Sequence, residues 1–160
     1  MQTIHIIAPG NLKEAYWRDA CAEYCKRLRP YAAVQIHELR EAPLPAQPTP
    51  AQIQQALQHE GERMQAMVPH GAYTIALCIE GKPMSSTNFS KLLCDTVSRG
   101  VRDVVFFIGS SFGLSQTIKD FSHCRLSFSE MTFPHQMMRV MLLEQIYRAK
   151  NLAAGGKYHK

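Results

Sequence analysis

The stretch VVFFI at residues 104–108 decides the fold, because five consecutive apolar residues lie there between Asp103 and Gly109. A short run of this kind, rich in β-branched and aromatic residues, is typical of a strand that is buried on both faces. Two further runs, IHIIA at residues 4–8 and YTIALCI at residues 73–79, are nearly as apolar. Strands buried on both faces occur in parallel sheets that helices cover on each side, so we predict an α/β fold.

Segments with helical periodicity alternate with the strand-like segments along the chain. Pro30 and Gly100 each end a predicted helix, and Pro50 behind Thr49 suits the first turn of another. The alternation predicts a mostly parallel sheet with helices on both faces, in one domain of residues 1–160. The predicted strands are residues 4–8, 33–39 (near an edge), 73–79 (followed by a turn at 81–83), 101–108 and 125–128. The predicted helices are residues 12–28, 52–67, 85–98, 116–121 and 133–153.

Composition limits the class of protein. The chain has 160 residues, of which 46% are hydrophobic and 19% charged, and this suits one globular domain with its own core. No apolar run approaches the roughly 20 residues that span a membrane, and the cysteines lack zinc-ligand spacing. We therefore expect a cytoplasmic protein with reduced thiols, no metal site and no membrane contact. The net charge of +5 fits a polyanionic partner and an ordinary, slightly basic protein equally well.

Three predicted strands end in loops that can share one ligand pocket. In open α/β sheets ligands bind beyond the carboxyl ends of the strands, which here are Ile79, Ile108 and Phe128. If these strands are neighbours, their loops line one pocket, and of the seven histidines we expect His135 and His159 to lie beside it. The loop after Ile108 has the pattern Gly-x-x-x-Gly, which differs from the dinucleotide and P-loop fingerprints. A glycine turn after a strand is more often structural than functional, so this loop alone assigns no ligand.

The predicted last helix carries apolar residues around well over half of its circumference between Met137 and Tyr147. A helix that covers one side of a sheet needs a narrower stripe, so the pattern fits a homodimer interface and a single buried core helix about equally well. The segment beyond this helix is basic and ends in Tyr158, His159 and Lys160. Basic groups beside aromatic rings suit phosphate contact and base stacking, but composition alone favours a frayed, solvated tail.

Several stretches resemble one family of RNA-modifying enzymes. They are LSFSEMTFPHQMMRV at residues 126–140, EQIYRA at 144–149, the glycine loop at 108–114, the amino-terminal segment at 11–17 and the terminal YHK at 158–160. The chain is thereby similar to the RlmH family of SPOUT-class methyltransferases, which methylate N3 of a pseudouridine in 23S ribosomal RNA of the large subunit. The resemblance implies a carboxyl-terminal trefoil knot, a homodimer packed through the knotted region, and the ribosome as partner.

The resemblance also implies which residues hold the methyl donor, S-adenosylmethionine, mainly through backbone groups. Carried over by position, the cofactor residues are Leu77, Gly109, Phe128, Ser129, Glu130, Met131, Thr132 and Phe133. One position departs from the family, since Ser110 stands where a second glycine is usual. A serine adds a side chain and restricts the backbone, so we expect a different pocket rim without loss of binding.

The chemistry expected from this resemblance is an in-line transfer of methyl from a sulfonium to a ring nitrogen, for which no metal is needed. The N3–H proton must also leave, and His159 is our candidate base because histidine titrates near neutral pH. We expect Tyr158 to stack on the flipped base or to hydrogen-bond it, and Arg139 and Lys157 to hold phosphates. Glu130 is expected to favour the cationic cofactor over its neutral product.

Three other functions stay open at the level of sequence. The chain could be a non-enzymatic ribosome-binding factor of the same fold, although the loop at residues 129–133 is intact. It could be a SPOUT enzyme for another RNA, although a small chain without an appended RNA-binding domain is expected to dock on a preassembled ribosome. A nucleotide-dependent oxidoreductase is disfavoured because the dinucleotide fingerprint is missing.

Overall fold

The computed structural model describes residues 1–159, in which five strands alternate with five helices. The strands are β1 (Gln2–Pro9), β2 (Ala32–Leu39), β3 (Tyr73–Pro83), β4 (Asp103–Phe107) and β5 (Cys124–Ser127). The helices are α1 (Ala15–Leu28), α2 (Pro50–Ala66), α3 (Ser86–Ser98), α4 (Gln116–Phe121) and α5 (His135–Ala153). The predicted α/β alternation is confirmed, and most boundaries agree within a few residues.

The five strands form one parallel sheet in the order β2-β1-β4-β3-β5. The apolar strand β4 lies at its centre, where Phe106 is aligned with Ile6 of β1 on one side and with Ile75 of β3 on the other. The strand β2 lies at one edge, as its alternating pattern predicts. Because β4, β3 and β5 are neighbours, the loops that leave the carboxyl ends of β4 and β5 meet beside β3.

Side chains on the two faces of the sheet build two separate core layers. Ile6 and Phe106 belong to the layer covered by α1, α3 and α5, together with Leu142 of α5. Ile7 and Phe107, the next residues along each strand, belong to the layer covered by α2 and α4. Successive residues of a strand point to opposite faces, so a strand that is apolar at every position is buried on both sides. This confirms the prediction made from residues 104–108.

Polar side chains set the first residue of three helices. Thr49 Oγ1 accepts a hydrogen bond from the Gln52 backbone N–H at 3.2 Å, and Gln52 Oε1 accepts one from the Thr49 backbone N–H at 2.9 Å. This capping box, with Pro50 at the first helical position, confirms the predicted start of α2. Ser85 and Ser115 cap α3 and α4, and each hydroxyl accepts from the backbone N–H three residues later.

Residues 81–83 do not turn the chain, so that prediction is wrong. Strand β3 continues to Pro83 and pairs with β5 through Lys82 and Leu126 after a shift in register. A Cβ atom at Gly81 would lie 2.8 Å from the backbone carbonyl carbon of Leu126. The missing side chain therefore lets the two strands approach closely, and Gly-Lys-Pro marks an irregularity in the strand rather than its end.

Candidate functional site

One pocket of about 340 Å³ lies beyond the carboxyl ends of β4 and β5 and beside the irregular stretch of β3. Its walls include Ile79 within β3, Ile108 after β4 and Phe128 after β5, and His135 at the start of α5 lines it as well. The prediction of one shared pocket is confirmed for the loops after β4 and β5, whereas the third wall comes from residues inside β3 rather than from a loop after it. The pocket is therefore a product of topology, and it lies where open α/β sheets hold their ligands.

Nearly all of the predicted cofactor residues line this pocket. Those that do are Leu77, Gly109, Phe128, Ser129, Met131, Thr132 and Phe133. Glu130 is the exception, because its side chain is exposed and lies outside the lining. The structure thus brings the predicted group together in space, and their contact with a cofactor stays a prediction.

The glycine loop after β4 is tightly closed. A Cβ atom at Gly109 would lie 2.4 Å from the backbone carbonyl carbon of Gly113, and Gly113 itself has a φ of +87°. The Gly113 N–H donates to the Ser110 carbonyl oxygen at 2.9 Å, and the Phe112 N–H donates to Ser110 Oγ at 3.3 Å. Ser110, which replaces the usual glycine, therefore supplies a hydrogen bond within the turn. Both glycines are needed because any side chain at either position is strained.

Serine side chains shape the loop between β5 and α5. Ser127 Oγ donates to the Ser129 carbonyl oxygen at 3.1 Å, and Ser129 Oγ accepts from the Met131 N–H at 3.0 Å. Pro134 then precedes the first residue of α5, with its carbonyl accepting from the Met138 N–H at 3.0 Å. These local bonds hold the loop in a curved path along the pocket wall.

A charged pair at the rim of the pocket was missed by sequence reasoning. Glu80, just after the apolar part of β3, forms an ion pair with Lys119 of α4, and both side chains line the pocket. The hydrogen bond from Lys119 lowers the pKa of Glu80, so the carboxylate stays ionised at neutral pH. No local pattern in the sequence links these residues, which only the packing of α4 beside β3 brings together.

Arg139 lies inside the protein, and the predicted phosphate contact is incompatible with this structure. The side chain is 2% exposed, with Nη1 3.3 Å from Glu38 Oε2 and Nη2 donating to the Gly10 carbonyl oxygen at 3.3 Å. Its Nε–H has no hydrogen-bond partner within residues 1–159. The guanidinium therefore ties the first turn of α5 to the carboxyl ends of β1 and β2.

The carboxyl-terminal segment folds back onto α5 rather than fraying. The Tyr158 ring packs against Tyr147 with centroids 4.8 Å apart, and the Arg148 guanidinium lies 4.6 Å from the Tyr158 ring centroid. The Tyr158 N–H donates to Asn151 Oδ1 at 3.1 Å, and Arg148 Nη1 donates to the Tyr158 carbonyl oxygen at 3.3 Å. The frayed tail favoured by composition is therefore wrong for the segment up to Tyr158. His159 follows this anchor and is exposed.

The hydroxyl of Tyr158 has polar neighbours from two helices. A hydrogen bond with Tyr24 of α1, together with partial burial and the nearby Glu144 of α5, raises the pKa of Tyr158 to about 12. This phenol is consequently a neutral donor at physiological pH and not a base. Neither Tyr158, His159 nor the exposed Lys157 lines the pocket, so within one chain the predicted catalytic residues lie apart from it.

Helix α5 is fully buried along one side only. Leu142, Leu143 and Ile146 are buried, whereas Val140 and Met141 are half-buried on the single chain. The single chain therefore buries most of α5, and the choice between a core helix and a homodimer interface stays open. The half-buried side borders a second cavity of about 450 Å³, and this cavity shares the side chains of Leu126 and Phe128 with the first pocket.

Within residues 1–159 no group of three or more His, Cys, Asp or Glu side chains is placed to hold a metal ion. Cys78 lines the pocket, but burial raises the pKa of its thiol, which is therefore protonated at neutral pH. In the same part of the chain, no helix is long and apolar enough to cross a membrane. The chemistry available at the pocket is thus that of backbone groups, hydroxyls, one imidazole and one ion pair.

Comparison with known proteins assigns the family. Residues 1–159 match the family model described as "Predicted SPOUT methyltransferase". The chain belongs to the SPOUT methyltransferase family. This SPOUT methyltransferase is 44% identical over 156 residues to a protein of Thermoanaerobacter pseudethanolicus named ribosomal RNA large subunit methyltransferase H 1, covering 98% of each chain. It is 42% identical over 157 residues to the ribosomal RNA large subunit methyltransferase H of Streptococcus gordonii, covering 98% of this chain and 99% of the relative.

The family assignment confirms the resemblance inferred from residues 126–149 and the glycine loop. The parallel five-stranded α/β sheet is that expected of a SPOUT methyltransferase, and the protein is an enzyme. The pocket beside β3, β4 and β5 is accordingly the candidate active site of a methyltransferase, since it contains the stretches that carry the resemblance.

Proposed function

We propose that this SPOUT methyltransferase transfers a methyl group from S-adenosylmethionine to N3 of a pseudouridine in 23S ribosomal RNA. The observation that carries the proposal is the convergence of Gly109 and the loop at residues 128–133 on one pocket. The two relatives, which bear the name of large-subunit ribosomal RNA methyltransferases and match over nearly their whole length, support the RNA substrate.

The residues of the pocket fit S-adenosylmethionine. The volume of the pocket, about 340 Å³, falls in the range of about 300–1,000 Å³ that is usual for small-ligand sites. Leu77, Ile108 and Phe128 give apolar walls, and the loop from Gly109 to Gly113 adds further lining. When bound, S-adenosylmethionine supplies a methyl group on a sulfonium sulfur. The thioether that departs is a good leaving group. Our proposal assigns the adenosine part to the apolar walls and the polar part to the backbone of residues 128–133.

The contribution of the protein to the reaction is mainly positioning. A ring nitrogen and a methyl carbon must be held in line, and orienting two such reactants supplies roughly 7–11 kcal/mol of the barrier. The closed glycine loop on one side and the serine-braced loop at residues 127–131 on the other give two fixed walls for this purpose. Glu130 lies outside the pocket lining, so we assign no cofactor discrimination to its side chain.

The proton on N3 needs an acceptor, for which His159 stays our proposal. His159 is exposed and follows directly on Tyr158, which is anchored to α5. A general base must come within hydrogen-bond reach of its proton, and residues 157–159, the part of the tail that the structure describes, do not line the pocket of their own chain. The proposed role therefore requires either a movement of residues 158–159 or a second chain whose pocket the tail reaches.

We also propose that two copies associate through the half-buried side of α5. Val140, Met141 and the second cavity present an apolar surface beside the first pocket. Half-buried apolar side chains that border a cavity suit contact with a partner. The trefoil knot implied by the resemblance belongs to the same proposal, and so does docking of the dimer on the ribosome, where a basic chain of net charge +5 is attracted to RNA.

The test uses methyl-labelled S-adenosylmethionine and ribosomes from cells that lack this gene. Label that maps to a pseudouridine of the large subunit is the expected result, and ribosomes from cells that express the protein should accept little, because their site is already methylated. Cofactor binding without label on the ribosome would indicate another RNA substrate. A protein that binds ribosomes but no S-adenosylmethionine would be a non-enzymatic ribosome-binding factor.

A further inference from the structure

Phe112 presents an aromatic ring at the mouth of the candidate active site. The residue lies at the tip of the closed loop between Gly109 and Gly113, and its side chain is 47% exposed although it lines the pocket. Leaving a phenylalanine half in water gives up about half of the free energy that its full burial would contribute. An exposed aromatic ring at a pocket mouth therefore calls for an explanation in terms of a ligand.

The loop holds Phe112 in a fixed position. The Phe112 N–H donates to Ser110 Oγ, and the Gly113 N–H closes the turn on the Ser110 carbonyl oxygen. Gly109 lies directly against the backbone of Gly113, which leaves the loop no room to collapse. The ring therefore stands on a rigid support, and a ligand that contacts it loses little free energy in ordering the backbone.

A second exposed apolar side chain lies on another wall of the same pocket. Met131, on the loop between β5 and α5, is 73% exposed, and Ile79 in the irregular stretch of β3 is exposed as well. Phe112, Met131 and Ile79 come from two loops and one strand and share only the pocket. Single exposed apolar residues are ordinary, but several around one opening indicate a surface that a partner covers.

We propose that Phe112 is the stacking platform for the target nucleobase, with Met131 contacting the same base or its neighbour. This inference rests on the proposed function, since methylation of a ring nitrogen requires that the base leave its own stack and enter a pocket. Enzymes of this kind hold the extruded base between aromatic and apolar side chains. An aromatic ring suits every base, because each has a π-face, so Phe112 adds affinity for an unstacked base rather than recognition of its identity.

The same geometry separates the role of Phe112 from that of the cofactor residues. Gly109 and Leu77 have little or no exposed side chain and line the interior, whereas Phe112 and Met131 extend into solvent. A base that arrives from the ribosome must pass these exposed side chains. Loss of the aromatic ring is therefore expected to weaken binding of the RNA and to leave binding of S-adenosylmethionine unchanged.

The experiment compares Phe112→Leu and Phe112→Tyr with the wild-type protein, using unmethylated ribosomes and measuring KM, kcat and, by calorimetry, the affinity for S-adenosylmethionine. Phe112→Leu keeps an apolar side chain of similar size and is expected to raise the KM for ribosomes about tenfold, the loss expected for one stacking contact. Phe112→Tyr keeps the ring and should stay close to wild type. Phe121→Leu is the matched control, because Phe121 is also exposed but packs against Phe107 outside the pocket lining.

Two outcomes would overturn the inference. If the affinity for S-adenosylmethionine falls in Phe112→Leu as far as the KM rises, the ring covers the cofactor and not the base. If Phe112→Leu matches the wild type and Phe121→Leu, the ring has no part in RNA binding. Failure of the proposed function is seen separately, since wild-type protein would then transfer no methyl group to ribosomes, and the inference would fall with it.

Discussion

Arg139 Nη1 lies 3.3 Å from Glu38 Oε2, and this ion pair joins the first turn of α5 to the edge strand β2. The two ends of the pair differ in environment, because the Arg139 side chain is 2% exposed and that of Glu38 is 43% exposed. A buried charge depends on its partner more than an exposed charge does. The pair is therefore asymmetric, and the two single substitutions should have different effects.

Removal of Glu38 should destabilise the protein more than removal of Arg139. In Glu38→Ala the buried guanidinium keeps one bond, to the Gly10 carbonyl, and we expect the free energy of unfolding to fall by about 1–3 kcal/mol. In Arg139→Met an apolar chain of similar length replaces a charge whose Nε–H is unpaired within residues 1–159, so the change should stay within about 1 kcal/mol. Urea unfolding measures both values.

The control for this pair is Glu23→Ala, which removes the exposed partner of Arg27 and should leave the free energy of unfolding close to that of the wild type. Equal losses in Glu38→Ala and Glu23→Ala would show that burial of Arg139 has no energetic consequence.

Gly109→Ala should impair binding of S-adenosylmethionine. The new Cβ would lie 2.4 Å from the Gly113 carbonyl carbon, a distance at which the backbone of the loop must shift. We expect the affinity to fall by at least about tenfold, or about 1.4 kcal/mol, measured by calorimetry. Gly71→Ala is the matched control, since its φ of +77° makes it strained but nothing lies near its Cβ. It should lose stability and keep its affinity.

Stability at high pH should depend on Tyr158. Its pKa is raised from the ordinary value of 10.0 to about 12, chiefly by the hydrogen bond with Tyr24. A phenol with a raised pKa in the folded state contributes stability that is complete below the unfolded value and is lost as the pH rises from 10.0 towards 12. Tyr158→Phe removes this titration, so the stability difference between wild type and variant should shrink over that window in urea unfolding. A difference that is constant with pH would contradict the assignment.

Removal of residues 158–160 should separate binding from turnover. Tyr158 and His159 are not among the residues that line the pocket, so the affinity for S-adenosylmethionine should be retained. If His159 takes the N3 proton, kcat should fall by about 10²–10⁴-fold, the usual contribution of a general base. His159→Ala alone should give most of this loss, while Tyr158→Phe keeps the ring packing and should not. Unchanged turnover in the truncated protein would exclude a catalytic role for the tail.

The strands and helices of this fold could be predicted from local patterns, but the pairing of strands in the sheet could not. Val104 and Phe107 lie in an apolar run that predicts a central strand, and Thr49 with Pro50 predicts the start of α2. The pairing of β3 with β5 has no such signal, although it creates the pocket. Gly81 misled the prediction, because a glycine that permits a turn equally permits close approach of two strands.

The sequence predicted which residues line the candidate site better than it predicted where charged side chains such as Arg139 lie. The resemblance placed Gly109 and Phe133 together correctly, since a motif carries spatial information that a composition does not. Arg139 was assigned to phosphate from its charge alone, and its burial depends on Gly10 and Glu38, which are far away in sequence. Exposure of Phe112 likewise follows from the shape of its turn and has no sequence signal.

Leu126 and Phe128 form a shared wall between the candidate active site and the cavity beside α5. A ligand on one side that displaces Phe128 changes the space on the other side, because side chains in a packed wall cannot move independently. Thermodynamic linkage makes such an effect reciprocal: whatever fills the cavity beside α5 would alter cofactor affinity by the same factor by which the cofactor alters its binding. In the proposed dimer, this partition would make subunit contact and cofactor occupancy two coordinates of a single equilibrium.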